Sequence, residues 1–186
     1  MSNFESLAVE AQNILDSADL LYNHQQIDAA LDEVADQLTA ALGEQTPVLM
    51  CVMNGGLMTF STLVSKLHFP LQMDYIHATR YRDSTEGKEV KWLAEPRYDL
   101  KGRHVVIVDD ILDEGVTLEA IIQYCKEAGA ESVSTVMLVH KQHDRCITGV
   151  KADYVGLNVP DRYVFGFGMD YKGFLRNIPA IYAVSD

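Results

Sequence analysis

Between Val105 and Thr117 the chain reads V-V-I-V-D-D-I-L-D-E-G-V-T, and this stretch narrows the possible folds more than any other. Val105 to Val108 are four β-branched apolar residues in succession. A strand with one wet face would alternate polar and apolar residues. An unbroken run suits a strand covered on both faces, as in a parallel sheet flanked by helices. Asp109 and Asp110 follow at once, and a short loop then carries Asp113, Glu114 and Gly115. The next segment, L-E-A-I-I-Q-Y-C-K-E-A, sets Leu118, Ile121, Ile122 and Cys125 at helical spacing, with Thr117 as its expected N-cap and Gly129 as its stop. Ser132–Val139 resumes a strand pattern. Strand, acidic loop, helix and strand form a βαβ crossover, so an α/β protein with a mostly parallel sheet is expected.

In open α/β folds ligands bind outside the C-terminal ends of the strands, which is where this loop lies. The N-terminus of the helix after it offers unpaired N–H groups to a phosphate. The loop has neither the G-x-x-x-x-G-K-[ST] of a nucleotide P-loop nor the G-x-G-x-x-G of a dinucleotide site. It holds four acids within six residues, from Asp109 to Glu114. Carboxylates repel phosphate, yet they accept hydrogen bonds from sugar hydroxyls and they ligate Mg²⁺. A phosphorylated ribose accompanied by a divalent ion would satisfy both demands. The plain alternative is a solvated acidic turn, but acids crowded at the mouth of a buried strand repel one another unless something compensates.

A second strand–glycine–helix junction stands at Asn54-Gly55-Gly56, between an expected strand at Val48–Met53 and an expected helix at Leu57–Leu67. Glycines there let backbone amides approach an anion; taken alone, the junction reads as a tight turn. Leu71–Thr79 alternates as a strand and leads into residues 80–103, a charged segment with Gly87, Pro96 and a short V-K-W-L run of strand character. A connection of that length inside one domain is either functional or disordered. His140, Lys141, Gln142 and His143 follow the strand ending at Val139; no third ligand lies nearby, so zinc is not expected. Tyr154–Val159, Tyr163–Phe167 and Ile181–Val184 read as short strands, with Pro160-Asp161 as a turn. At the other end, residues 4–22 read as a helix, and a second helix carries Ile27, Leu31, Val34, Leu38 and Leu42 up to Gly43. His24 between them reads as a surface residue.

Composition excludes several classes. A chain of 186 residues is expected to form one domain with a substantial core. Its net charge of −12 argues against a surface that grips nucleic acid or an anionic membrane. Cys51, Cys125 and Cys146 make no C-x-x-C pair and lie in or beside apolar runs, which suits buried free thiols in a reducing compartment. With no signal peptide and no apolar run long enough to span a bilayer, a cytoplasmic protein is expected.

The Val105–Thr117 stretch resembles the phosphoribosyl pyrophosphate (PRPP) signature of the type I phosphoribosyltransferases, and from about residue 46 onward the chain resembles their purine-salvage branch. The resemblance implies a mostly parallel sheet with N-terminal helices over 1–43, a mobile lid over 80–103 beginning at Arg80 and Tyr81, and a small hood formed by 153–186. It implies PRPP and a 6-oxopurine as substrates, Mg²⁺ as cofactor, and a homodimer or homotetramer. Asp109 and Asp110 would hold the ribose hydroxyls and help order the metal. The backbone of Asp113, Glu114, Gly115, Val116 and Thr117 would cradle the 5′-phosphate, with the Thr117 hydroxyl assisting. Asp113 would take or share the purine N7 proton as general base.

By the same resemblance, Asn54 and Gly55 belong to a pyrophosphate loop that often contains a cis peptide, and Arg176 reaches the pyrophosphate. Lys141, after a one-residue shift, would donate to the 6-oxo group. Tyr163 would stack on the purine, the Val164 main chain would read its edge, and Asp170 would lie near the exocyclic amine and the metal. Three positions depart from the family pattern: Asn54 replaces a basic residue, Glu114 replaces Thr or Ser, and Val116 has no side-chain donor. The alternatives are a transferase for xanthine, adenine or a pyrimidine, and a non-catalytic nucleic-acid-binding regulator of the same fold. Lys141 argues against adenine, whose 6-amino group is itself a donor; the acidity of the chain and the intact Asp113 argue against the regulator.

Overall fold

The Val105–Val108 run forms the middle of a sheet in a computed structural model that describes residues 3–80, 90–143 and 149–185. None of its four side chains is more than 1% exposed. The elements in order are α1 (Asn3–Ser17), β1 (Asp19–Tyr22), α2 (His24–Leu42), β2 (Val48–Val52), α3 (Leu57–Val64), β3 (Gln72–Arg80), β4 (Val90–Ala94) and β5 (His104–Leu112). They continue with α4 (Val116–Glu127), β6 (Ser132–Lys141), β7 (Tyr154–Val159), β8 (Val164–Phe165) and β9 (Ile181–Ala183). The main sheet has six strands in the order β4-β3-β2-β5-β6-β7. Every pair is parallel except the β3–β4 edge pair.

Successive side chains of a strand point to opposite faces, and β5 supplies both layers accordingly. Val105 and Ile107 pack with Leu118, Ile121 and Cys125 of α4. Val106 and Val108 pack on the other face with Val34 and Leu38 of α2 and Phe60 and Leu63 of α3. An earlier stretch of α2, through Ile27 and Leu31, joins a third cluster with Val164, Phe167 and Ile181. One helix thus ties the main sheet to a second, three-stranded antiparallel sheet of order β1-β9-β8, the hood.

Two expectations need correction here. Residues 19–22 are strand, not helix: α1 ends at Ser17, and Asn23 starts α2 with a reciprocal pair of 3.0 Å hydrogen bonds to Gln26. D-L-L-Y is extended because it pairs with β9 from the far end of the chain, a partner that local periodicity cannot show. The hood is therefore not drawn from 153–186 alone. Tyr154–Val159 continues the main sheet beside β6, and the hood strands from this end are β8 and β9. Of the expected lid over 80–103, Tyr81 lies outside the described residues, and Val90–Ala94 is a paired edge strand whose Trp92 ring lies 5.1 Å from that of Tyr124.

Cys51 and Cys125 are buried free thiols, which burial pushes up to about 12 and about 11; Cys146 lies outside the described residues. His24 is exposed, as expected. Among the described residues no helix is long and apolar enough to cross a membrane.

The return from β4 to β5 is fixed by the buried carboxylate of Asp74 on β3. It accepts hydrogen bonds from the backbone N–H groups of Tyr75 (2.9 Å), Arg97 (2.7 Å) and Tyr98 (2.9 Å). Asp74→Ala should therefore lower the unfolding free energy by about 1–3 kcal/mol, the usual cost of leaving buried donors unpaired. The check is the urea midpoint; an unchanged midpoint would mean that water replaces the carboxylate without cost.

Candidate active site

Because β2 and β5 are parallel neighbours, in register from Val48 opposite Val105 to Cys51 opposite Val108, their C-terminal loops emerge side by side. The Asn54-Gly55-Gly56 junction and the Asp109–Thr117 loop consequently face one another across a cleft of about 660 Å³. Asn54, Gly55, Asp109, Asp110, Asp113, Gly115 and Thr117 all line it, and the hood contributes Asp170 and Arg176. His77 and Thr79, near the end of β3, complete the wall and were not singled out from the sequence.

The two junctions touch. A Cβ placed on Gly55 would lie 2.1 Å from Asp110 Oδ2, so only glycine allows the loop to close on this carboxylate. The Met53–Asn54 peptide is cis, as the resemblance implied. The Asp110 N–H donates to Asp109 Oδ1 at 2.8 Å. Burial raises both carboxyls above the ordinary carboxylate range, most strongly for Asp109, to which the charge of Asp110 adds. For Asp110 the hydrogen bond with Asp109 and the charge of Arg176, whose Nη1 lies 4.0 Å away, pull part of the way back. Such a pair accepts a cation or hydroxyl donors readily.

The loop enters α4 differently from expectation. Gly115, at φ 82°, is the N-cap and Val116 is already helical, so Thr117 lies in the first turn rather than at the cap. The left-handed conformation open to glycine lets the chain turn two residues earlier. Gly115 has no side chain with which to cap the first-turn N–H groups, so at the cleft wall these remain donors of the kind an anion can take.

Arg176 donates to the Gly168 carbonyl (2.6 Å) and to Asp170 Oδ1 (2.6 Å), while Asp170 Oδ2 accepts the Gly173 N–H (2.7 Å). Tyr163 is 51% exposed and its hydroxyl donates to the Asp170 carbonyl at 3.1 Å. The Val164 side chain is buried in the hood core, so only its main chain could meet a ligand. Neither residue lines the main cleft, and neither does Lys141. Arg80 closes β3. Among the described residues, no group of three or more His, Cys, Asp or Glu converges into a metal cage.

Lys141 reaches the loop from the next strand. Leu112 on β5 pairs with His140 on β6, so the positions that follow, Asp113 and Lys141, come together. Lys141 Nζ lies 3.2 Å from Asp113 Oδ2, and His143 Nε2 lies 2.5 Å from Asp113 Oδ1. Partial burial pushes Asp113 up, but the His143 hydrogen bond and the Lys141 charge outweigh it and hold the carboxyl below its usual value. Pairing with Asp113 is a role for His143 that the sequence alone did not suggest, although strand register would have indicated it once β5 and β6 were known to be neighbours.

The profile of the family described as "Phosphoribosyl transferase domain" matches residues 17–172. The hypoxanthine-guanine phosphoribosyltransferase of Bacillus subtilis is 31% identical over 163 residues, 87% of this chain and 90% of that one. The hypoxanthine-guanine-xanthine phosphoribosyltransferase of Tritrichomonas foetus is 30% identical over 162 residues, 87% of this chain and 88% of its own length. The crystal structure of a hypoxanthine phosphoribosyltransferase from Staphylococcus aureus superimposes with a TM-score of 0.86 at 27% identity, covering 91% of this chain and 93% of that one.

The raised carboxyls carry a stability cost with a defined sign. Between the unfolded carboxylate value of about 3.9 and the raised folded value, the folded protein holds a proton that the unfolded chain releases; stability falls as pH rises through that window. Asp109→Asn removes the buried charge and keeps an acceptor for the Asp110 N–H. It should stabilise the ligand-free protein at pH 7 by about 0.5–2 kcal/mol, the range of typical stabilising substitutions. Denaturation across pH in chelator checks this, and a destabilised variant would contradict it.

Proposed function

This chain belongs to the phosphoribosyl transferase domain family, and on that premise we propose that it is a purine-salvage transferase that converts hypoxanthine or guanine and PRPP into IMP or GMP and pyrophosphate. The observation that carries this reading is the pairing of Lys141 Nζ with Asp113 Oδ2 at 3.2 Å beside the acidic cleft. A 6-oxopurine presents an oxo acceptor and an N7–H donor side by side. A cation and a carboxylate held next to each other match that edge; the 6-amino group of adenine does not.

PRPP lies along the cleft in this reading. The N–H groups of Gly115–Thr117 hold the 5′-phosphate, with Glu114 turned away from it. Asp109 and Asp110 accept the ribose hydroxyls. The amides of Asn54 and Gly55 and the guanidinium of Arg176 meet the pyrophosphate, Arg176 being the cation on this side where Asn54 offers none. Tyr163, the Val164 main chain and Asp170 attend the base. Water must be excluded while oxocarbenium character develops at the anomeric carbon, the task expected of the segment starting at Arg80 and Tyr81. Asp113 stays ionised at neutral pH and takes or shares the N7 proton as N9 bonds to the ribose.

The donor set also suits magnesium. Mg²⁺ keeps several waters and binds through one or two carboxylates plus substrate oxygens, so the lack of a three-residue cage among the described residues is no obstacle. Asp109 and Asp110 would hold it, with Asp170 reaching it through a bound water, and it would neutralise the charge of the departing pyrophosphate. A homo-oligomer is supported by an apolar groove of about 300 Å³ near the half-exposed Leu57, Met73 and Tyr75. The reducing, cytoplasmic setting rests on the two buried free thiols.

Steady-state assays with PRPP, Mg²⁺ and a panel of bases test the reading: turnover on hypoxanthine or guanine but not adenine is expected. No turnover on any base would favour the regulator. Asp113→Asn should lower kcat by about 10²–10⁴-fold with the KM for PRPP little changed, the usual contribution of a general base. Lys141→Ala should erode the preference for hypoxanthine over adenine by about 10- to 100-fold, the value of a hydrogen bond from a charged donor. An unchanged preference would remove Lys141 from base recognition.

A further inference from the structure

We propose that His143 is the positioning residue for Asp113: it grips one carboxylate oxygen throughout the reaction, so that the other is presented to the purine. This rests on the reading of Asp113 as proton acceptor and assigns a role to a residue outside the phosphoribosyl and base contacts named above. Asp113 has two oxygens, and each has a different partner. His143 Nε2 meets Oδ1 at 2.5 Å, whereas Lys141 Nζ meets Oδ2 at 3.2 Å, longer than the usual charge-assisted bond of about 2.7–2.9 Å. An ionised carboxylate only accepts, so the hydrogen of the short bond is carried by Nε2. The His143 side chain is 4% exposed, which leaves the ring little room to leave. Lysine, by contrast, ends in a point charge on a flexible four-carbon stem.

The two contacts therefore divide the work. A 6-oxopurine draws Lys141 from Oδ2 to its oxo group, and Oδ2 becomes the acceptor for N7–H. His143 remains on Oδ1. Without it the carboxylate would lose both partners at the moment Lys141 moves, and its terminal torsion, broad and two-fold for an Asp side chain, would no longer be held. As the N9–C1′ bond forms, the C1′–O bond to pyrophosphate breaks with its electron pair on the leaving group. The N7 proton passes to Oδ2, while the His143 N–H stays on Oδ1. No other group gains or loses a proton in that step.

The test is a double-mutant cycle on the full chain. His143→Leu removes the donor and keeps an apolar fit. It should lower kcat by about 10- to 100-fold, the value of a hydrogen bond to a charged group, with the KM for PRPP within about twofold. His143→Gln carries an amide N–H near the position of Nε2 and should restore most of the rate. In an Asp113→Asn background, His143→Leu should add little, because its route of action is gone. If His143→Leu does not fold, His143→Asn, polar but too short to reach, takes its place with the same expected drop. Multiplicative losses in the double variant, or a His143→Gln variant as slow as His143→Leu, would overturn the positioning role. Near-normal kcat in Asp113→Asn alone would instead overturn the assignment of Asp113.

Discussion

The parallel pairing of β2 with β5 is the interaction on which the rest depends. Both strands are apolar through the paired stretch and buried on both faces, so neither can slide by one residue without turning its side chains from one helical layer to the other. That locked register sets the height at which the chain leaves the sheet. Asn54-Gly55 and Asp109-Asp110 then emerge together, and Gly55 fits against the Asp110 carboxylate because it has no Cβ. Hydrophobic packing in the middle of the sheet thereby fixes polar geometry at its edge.

The edge is electrostatically divided. Toward β2 lie two acids whose burial and proximity work against ionisation. Toward β6 lies a third, Asp113, stabilised in its charged form by Lys141 and His143. Environments that push carboxyl groups in opposite directions suit different tasks, and the function proposed above assigns hydroxyls and a cation to one side and a proton to the other. Above them the hood takes a tightly wound path, with Phe167 (φ 47°) and Leu175 (φ 68°) in a backbone region that costs non-glycine residues about 1–3 kcal/mol each. Surrounding contacts hold these residues there, among them hydrogen bonds from the Phe167 N–H to Ile178 and from the Gly168 N–H to Arg176. The winding keeps Asp170 and Arg176 over the acids.

What could be read in advance follows from where the determining interactions lie. Val105–Val108 declared itself because burial on both faces leaves no polar position in the strand, and the acidic loop followed directly. The helix after it was legible, but its start was misplaced by two residues, since a left-handed Gly115 competes with the side-chain cap that Thr117 could have supplied. D-L-L-Y was hidden because its structure comes from a partner at the other end of the chain. His143 was in view as a residue but not as a neighbour of Asp113. Adjacency of that kind is a property of strand order, which periodicity along one chain does not contain.

The pairing of β1 with β9 bears on how the protein is made. Synthesis delivers the N-terminus first, and domains begin to organise as they emerge. The six strands of the main sheet all precede residue 160, so that sheet has its full complement while the last hood strand is still to come. β1 emerges near the start, yet among the described residues its sheet partner is β9. During most of translation its peptide groups face water and Leu21 lacks the packing it has in the finished fold. The roof of the cleft is thus a late, non-local closure spanning nearly the whole chain, and such contacts form slowly because their ordering cost precedes their reward. A nascent chain can in this way hold a formed sheet with its acids in place and still have nothing above them.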